Sequence, residues 1–221
     1  MKLSTETISL LKNFSTINQS IFIKGGNKLR TISVMKNIYA AAEVQEDFPR
    51  DFAIYDLNAF LNAISLHSSP DLDFTNEQCL TWNESNSSGT WYYADPSVIV
   101  SPPEKEIELP SQDVCFVYTS SVHEKLMKAA SVYQVSDLSC IGADGKIMMK
   151  VRDKKNDSSN YFTEVVGETD DEFCFNFKVE NMKLLSGSYD VVVSRKLLAE
   201  FTRKSGNLKY FVALEPDSTY A

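Results

Sequence analysis

The feature that most constrains this chain is an internal repeat. Residues 4–18 form an amphipathic stretch whose Leu3, Thr7, Leu10, Phe14 and Ile17 recur at helical spacing, and residues 120–134 repeat it with Val122, Leu126, Ala130 and Tyr133. Each stretch is followed by an alternating, β-rich run broken by a glycine-containing turn. These are SIFIKGGNKLRTISV, turning at Gly25–Lys28, and LSCIGADGKIMMKV, turning at Ala143–Lys146, so two hairpins are predicted. MKNIYAAAEV then corresponds to NYFTEVVGE as a third strand. DFAIYDLNAFLNAIS and EFCFNFKVENMKLLSG each read as a strand running into a short helix, and further strands close each half, ending at GTWYYA and LKYFVALE. The offset between matching positions (Leu10 and Leu126, Asn27 and Gly145, Leu57 and Val179, Trp91 and Phe211) stays close to about 120 residues. Independent coincidences do not hold such a register.

Between the halves lies DPSVIVSPPEKEIELP, with four prolines and four acidic residues. Proline favours extended backbone and removes a sheet donor. The reading is therefore two similar α+β domains, residues 1–94 and 111–221, joined by a linker over 95–110. A single α+β domain with a proline-rich loop is the alternative, and the constant register favours two.

With 221 residues, 43% of them apolar, the chain can bury two modest cores. No apolar run reaches the ~20 residues of a membrane span, and the first residues are too polar for a signal peptide, so a soluble, cytosolic chain is expected. Cys79, Cys115, Cys140 and Cys174 contain no C-x-x-C pair, and no metal or cofactor is predicted. His67 and His123 lie in no nucleophile motif and read as surface residues, and Gly25-Gly26-Asn27-Lys28 lacks the spacing of a phosphate loop. Nothing asks for an enzyme.

Charge is distributed unevenly. Lys+Arg number 22 against 30 Asp+Glu, a net −8, which argues against a generic basic nucleic-acid binder. Yet on a helical wheel Lys2, Thr5, Ser9, Lys12 and Thr16 oppose Leu10, and Ser121, Lys125 and Lys128 oppose Leu126. The short helix from Leu57 turns Asn58, Asn62 and Ser65 outward, and the last predicted helix carries Lys178 and Lys183 beside Glu180. Acid-poor faces in an acidic chain are either simply solvated or surfaces along which a polyanion passes without base contacts.

These residues carry a resemblance. MKLSTETISLLKNFSTIN, FAIYDLNAFL, the linker start ADPS and the closing YFVALEPDST resemble the sliding clamps of T4-like bacteriophages, the DNA polymerase processivity factors, and the similarity runs through the whole chain in order. Residues 67–90 and 150–160 match least. The resemblance implies the two-domain DNA-clamp fold, with helices lining a ring and antiparallel sheets outside. It implies a homotrimer around duplex DNA, tethering the replicative polymerase, opened by an ATP-driven clamp loader, and active with late-transcription factors in the cytoplasm of an infected bacterium. Lys2, Lys12, Lys125, Lys128 and Lys183 are then expected to face DNA. The strand Gly89–Tyr93, with Trp91, Tyr92 and Tyr93, is expected to meet the Tyr161–Val166 strand of a neighbour, with Tyr161, Thr163 and Val165. The matching positions for a partner-peptide groove are Tyr39, Ile107, Leu109, Leu214 and Pro216, rimmed by Glu104, Glu106 and Glu108. In that reading the linker alternates Val98 and Val100, and later Ile107 and Leu109, with polar neighbours, so that one side lines a groove while the other stays wet. A protein-interaction scaffold that never touches nucleic acid is the rival, and an enzyme of unknown type the third.

Overall fold

Glu46 starts the first helix although it lies far along the chain. In the computed structural model, which describes residues 1–84, 86–156 and 158–221, its carboxylate accepts from the Ser4 amide and from Thr7 Oγ1. Ser4 Oγ in turn accepts from the Thr7 amide, so the orphan donors at the helix N-terminus are met by side chains. The chain divides into two compact units, Met1–Lys105 and Glu106–Ala221, a boundary inside the stretch read as the linker.

The first unit contains α1 (Thr5–Ile17), β1 (Ile21–Ile23), β2 (Gly26–Ile32), β3 (Ile38–Phe48), β4 (Phe52–Ile54), α2 (Leu57–Ile64), β5 (Asp71–Asp73), β6 (Cys79–Glu84) and β7 (Ser87–Tyr92). α1 buries Thr7, Leu10, Leu11, Phe14 and Ile17, the face its spacing predicts. α2 is capped by Asp56, whose carboxylate accepts from the Ala59 amide at 2.8 Å, and it buries Leu57, Phe60, Leu61 and Ile64. The first predicted hairpin does not form. β1 pairs antiparallel with β4, placing Ile21 opposite Ile54, while β2 pairs with β3. Gly26 has φ +109°, and the Gly25 amide donates to Asp51 Oδ1 at 2.8 Å, so the glycines redirect the chain between two pairings. β5, β6 and β7 make a small antiparallel sheet.

The second unit contains β8 (Val114–Tyr118), α3 (Ser120–Tyr133), β9 (Asp137–Ala143), β10 (Lys146–Arg152), β11 (Phe162–Glu168), β12 (Phe173–Lys178), β13 (Tyr189–Ser194), β14 (Leu198–Arg203), β15 (Leu208–Ala213) and β16 (Thr219–Tyr220). One sheet runs β11-β10-β9-β12-β16, and β15-β14-β13-β8 pair in that order. Here the predicted hairpin does form. Ala143 faces Lys146, and Asp144 and Gly145 both take positive φ, 52° and 76°, the geometry a two-residue hairpin loop requires. The core gathers Tyr118, Phe175, Phe177, Tyr189, Phe201 and Tyr210, all essentially inaccessible to solvent. Tyr133, predicted on the buried face of α3, is exposed. Thr119 caps α3 and Leu126 and Ala130 are its buried residues, while Gln134 in the left-handed region ends it.

The predicted last helix is replaced by a single 3-10 turn, Val179–Asn181. Where α2 has the cap Asp56, this segment has Lys178, which offers no acceptor, and the turn lacks a side-chain cap. Nor are both histidines surface residues. The His123 ring packs edge-on against Tyr118, and burial lowers its pKa, although Glu124 opposes the shift. His67 accepts at Nδ1 from Trp82 Nε1 at 3.2 Å.

Candidate nucleic-acid interface

In the first unit α1 and α2 pack together, with Ser15 Oγ donating to Asn58 Oδ1 at 2.7 Å. With one side of each helix in the core, the other side presents Thr5, Ser9, Lys12 and Thr16 on α1 and Asn58, Asn62 and Ser65 on α2, all exposed. Glu6 is the exposed acid of α1. Lys2 is exposed too, but it precedes the helix. The N-terminal ammonium beside it donates to Asp71 and to the Leu72 carbonyl, tying the chain start to β5.

In the second unit α3 lies against β10 and β11, and Lys125 and Lys128 are exposed on it. The two lysines differ in their partners. Lys125 Nζ lies 3.0 Å from Glu164 Oε1 on β11, so its charge is partly answered within the chain. Sequence reasoning missed Glu164 because the acid arrives from a strand well separated in sequence. Lys183 is half-buried and beyond the 3-10 turn, so no α-helix presents it. Lys178, read as a helix-face residue, pairs instead with the buried Asp137 at 2.7 Å. That hydrogen bond raises its pKa against the opposing effect of burial.

Two of the sheet edges carry the residues expected at a subunit contact. β7 borders the small sheet of the first unit and β11 borders the five-stranded sheet of the second. On β7 the aromatic run alternates, as a strand dictates. Trp91 packs on Phe60 with ring centres 5.6 Å apart and, just past the strand, Tyr93 packs on Phe52 at 5.5 Å, whereas Tyr92 is 73% exposed. On the other edge Val165 is 54% exposed and Thr163 half-buried. Tyr161 precedes β11, with Lys150 Nζ 3.7 Å above its ring. Open strands bearing exposed apolar groups are ready templates for another chain.

Tyr39 is buried on β3 of the first unit. In the second unit Leu214 is buried after β15, Ile107 and Leu109 are half-buried, and Pro216 is exposed. The start of the predicted linker is bound to the first unit. Asp95 caps a 3-10 turn over Pro96–Val98, Asn18 Nδ2 donates to the Val100 carbonyl at 3.2 Å, and Ile99 is buried. Val98 is exposed and Val100 half-buried, and the 3-10 turn makes Ile99 between them the buried anchor of the linker start. Glu104, expected in an acidic rim, pairs with Lys24 at 2.7 Å.

The comparisons with known proteins point to one family. A family described as DNA polymerase processivity factor matches residues 4–101. The sliding clamp of Enterobacteria phage T4 is 32% identical over 229 aligned residues, covering 100% of this chain and 99% of the relative, and that of Escherichia phage RB69 is 31% identical with the same coverage. In three dimensions the chain is similar to A. fulgidus PCNA, solved with the C-terminal region of FEN-1 bound. The TM-score is 0.69 at 14% identity, covering 96% of each chain, a likeness of fold. Repeat, fold and full-length identity lead to one assignment: this chain belongs to the sliding-clamp family of DNA polymerase processivity factors.

Proposed function

We propose that three copies of this chain close into a ring around duplex DNA and tether a replicative polymerase. The carrying observation is the contrast between a net charge of −8 and helix faces that present Lys12 among neutral side chains on α1, and Lys125 and Lys128 beside the one acid Glu124 on α3. An acidic exterior repels DNA, while a few weak phosphate contacts without base readout let it slide, and topology rather than affinity retains it. Lys2 and Lys125 are proposed to face DNA as well, Lys125 less because Glu164 shares its charge. Lys183 belongs to this proposal although no α-helix presents it.

Closure uses two sheet edges: β7 with Tyr92 at its tip, backed by Trp91 and Tyr93, against Thr163 and Val165 of a neighbour's β11, with Tyr161 alongside. Partner peptides are proposed to use Tyr39, Ile107, Leu109, Leu214 and Pro216, a mode in keeping with the partner's C-terminal region bound to the archaeal relative. The partners are the polymerase, an ATP-driven clamp loader and, in the infected bacterial cytoplasm, late-transcription factors; the chain itself performs no catalysis. Retention on circular but not on linear DNA, given loader and ATP, tests the proposal. Equal retention on both, or none on either, removes encirclement and leaves a scaffold that does not thread DNA.

A further inference from the structure

The first unit carries an open cavity of about 420 Å³ that holds none of Tyr39, Ile107, Leu109, Leu214 and Pro216. Its walls follow from strand alternation. On β2 Leu29 turns into the core, so Lys28 and Arg30 share the opposite face, and beyond β1 the chain adds Lys24. Phe22 and the buried Ile99 supply apolar lining. Three cations against the single acid Glu104 reverse the sign of the whole chain.

The chain already shows what these cations hold. Lys24 grips the Glu104 carboxylate at 2.7 Å, and Arg30 Nη1 donates to the carbonyls of Pro103 and Glu104 at 3.2 and 3.4 Å. A carboxylate and two peptide carbonyls are the chemistry of an acidic peptide in extended form. The Glu104 side chain is 88% exposed, and an ion pair that open exchanges readily.

We propose that this cavity docks an acidic segment of a partner protein, whose carboxylates replace Glu104 on Lys24 and meet Lys28 and Arg30 while an apolar side chain covers Phe22 and Ile99. Nucleic acid fits less well. It brings neither the carboxylate nor the peptide carbonyls that Lys24 and Arg30 hold here.

The test uses the full chain without DNA, so it stands apart from the fate of the ring. A short fluorescent peptide of aspartate and glutamate with one phenylalanine and one leucine is titrated by anisotropy. Controls are the same peptide with serine for every acid and a labelled thymidine oligonucleotide. Saturable, acid-dependent binding is expected, weakened about tenfold or more by Lys28→Glu with Arg30→Glu and tightened several-fold by Glu104→Gln, which removes the internal competitor. Lys28→Glu alone, at an exposed position, serves if the double variant loses its circular-dichroism signature. Absent binding, binding indifferent to these charges, or no gain with Glu104→Gln overturns the proposal. So does an oligonucleotide that binds more tightly with the same variant pattern, which would assign the cavity to phosphates.

Discussion

Lys125 on α3 and Glu164 on β11 lie 3.0 Å apart, joining the proposed DNA face to the proposed subunit edge. The pair makes the two α3 lysines unequal. Lys128→Ala is expected to lower processive synthesis more than Lys125→Ala, since an exposed pair offsets only about 0–1 kcal/mol but competes for the same charge. Each phosphate contact removed lowers the salt slope of duplex retention by about 0.9, so a salt series with both variants reads the difference. Equal slopes would contradict the assignment.

The Glu46 carboxylate links acidity to the start of α1. Burial pushes its pKa up, but the hydrogen bonds from Thr7 and Ser4 outweigh that and hold it below the ordinary glutamate value of 4.5. The folded form therefore favours the ionised group. Its stabilisation is fully present above pH 4.5 and is lost as pH falls through the lower folded value. Glu46→Gln is expected to cost about 1–3 kcal/mol at neutral pH in urea unfolding, with the gap to the parent closing under acid.

Lys178 carries the opposite sign. Its raised pKa means that the Asp137 pair stabilises below the ordinary lysine value of 10.5 and fades as pH rises beyond it. Lys178→Met leaves the buried Asp137 without its ammonium partner, with the Lys154 amide still donating at 3.3 Å, and is expected to destabilise by about 2–4 kcal/mol, lowering the urea midpoint, with processivity falling only as far as folding does.

Edge-to-edge closure is sensitive to charge at its exposed tips. Tyr92→Glu or Val165→Glu is expected to shift sedimentation toward the single-chain mass over a dilution series while leaving circular dichroism unchanged, because both side chains point out of their own unit. Unchanged mass would remove β7 and β11 from the contact.

For the peptide groove, Ile107→Asp separates anchoring from packing. A folded assembly that no longer binds the polymerase's C-terminal peptide is expected, a loss of about 2 kcal/mol or more for a true anchor. Unchanged affinity would reduce Ile107 to a residue that pins the linker.

The elements most legible in the sequence were those with local signals. Leu10, Phe14 and Ile17 marked α1, and Asp144-Gly145 marked the hairpin of the second unit. The first hairpin failed because Gly25-Gly26 permits many backbone directions, and the pairing of Ile21 with Ile54 is decided by burial far along the chain. The candidate surface was legible as helix faces, but its charge balance was not. Glu164, Asp137 and Glu104 reach Lys125, Lys178 and Lys24 across 39, 41 and 80 positions, distances no helical wheel encodes.

The two repeats part company at position 178. The first copy begins α2 with Asp56, whereas the second has Lys178, tied to Asp137, and a 3-10 turn. An aspartate at 178 would supply the missing acceptor yet set two acids against each other around a buried carboxylate. The ion pair with Asp137 and a helix cap therefore make opposite demands on one position, and this chain meets the first at the expense of the second.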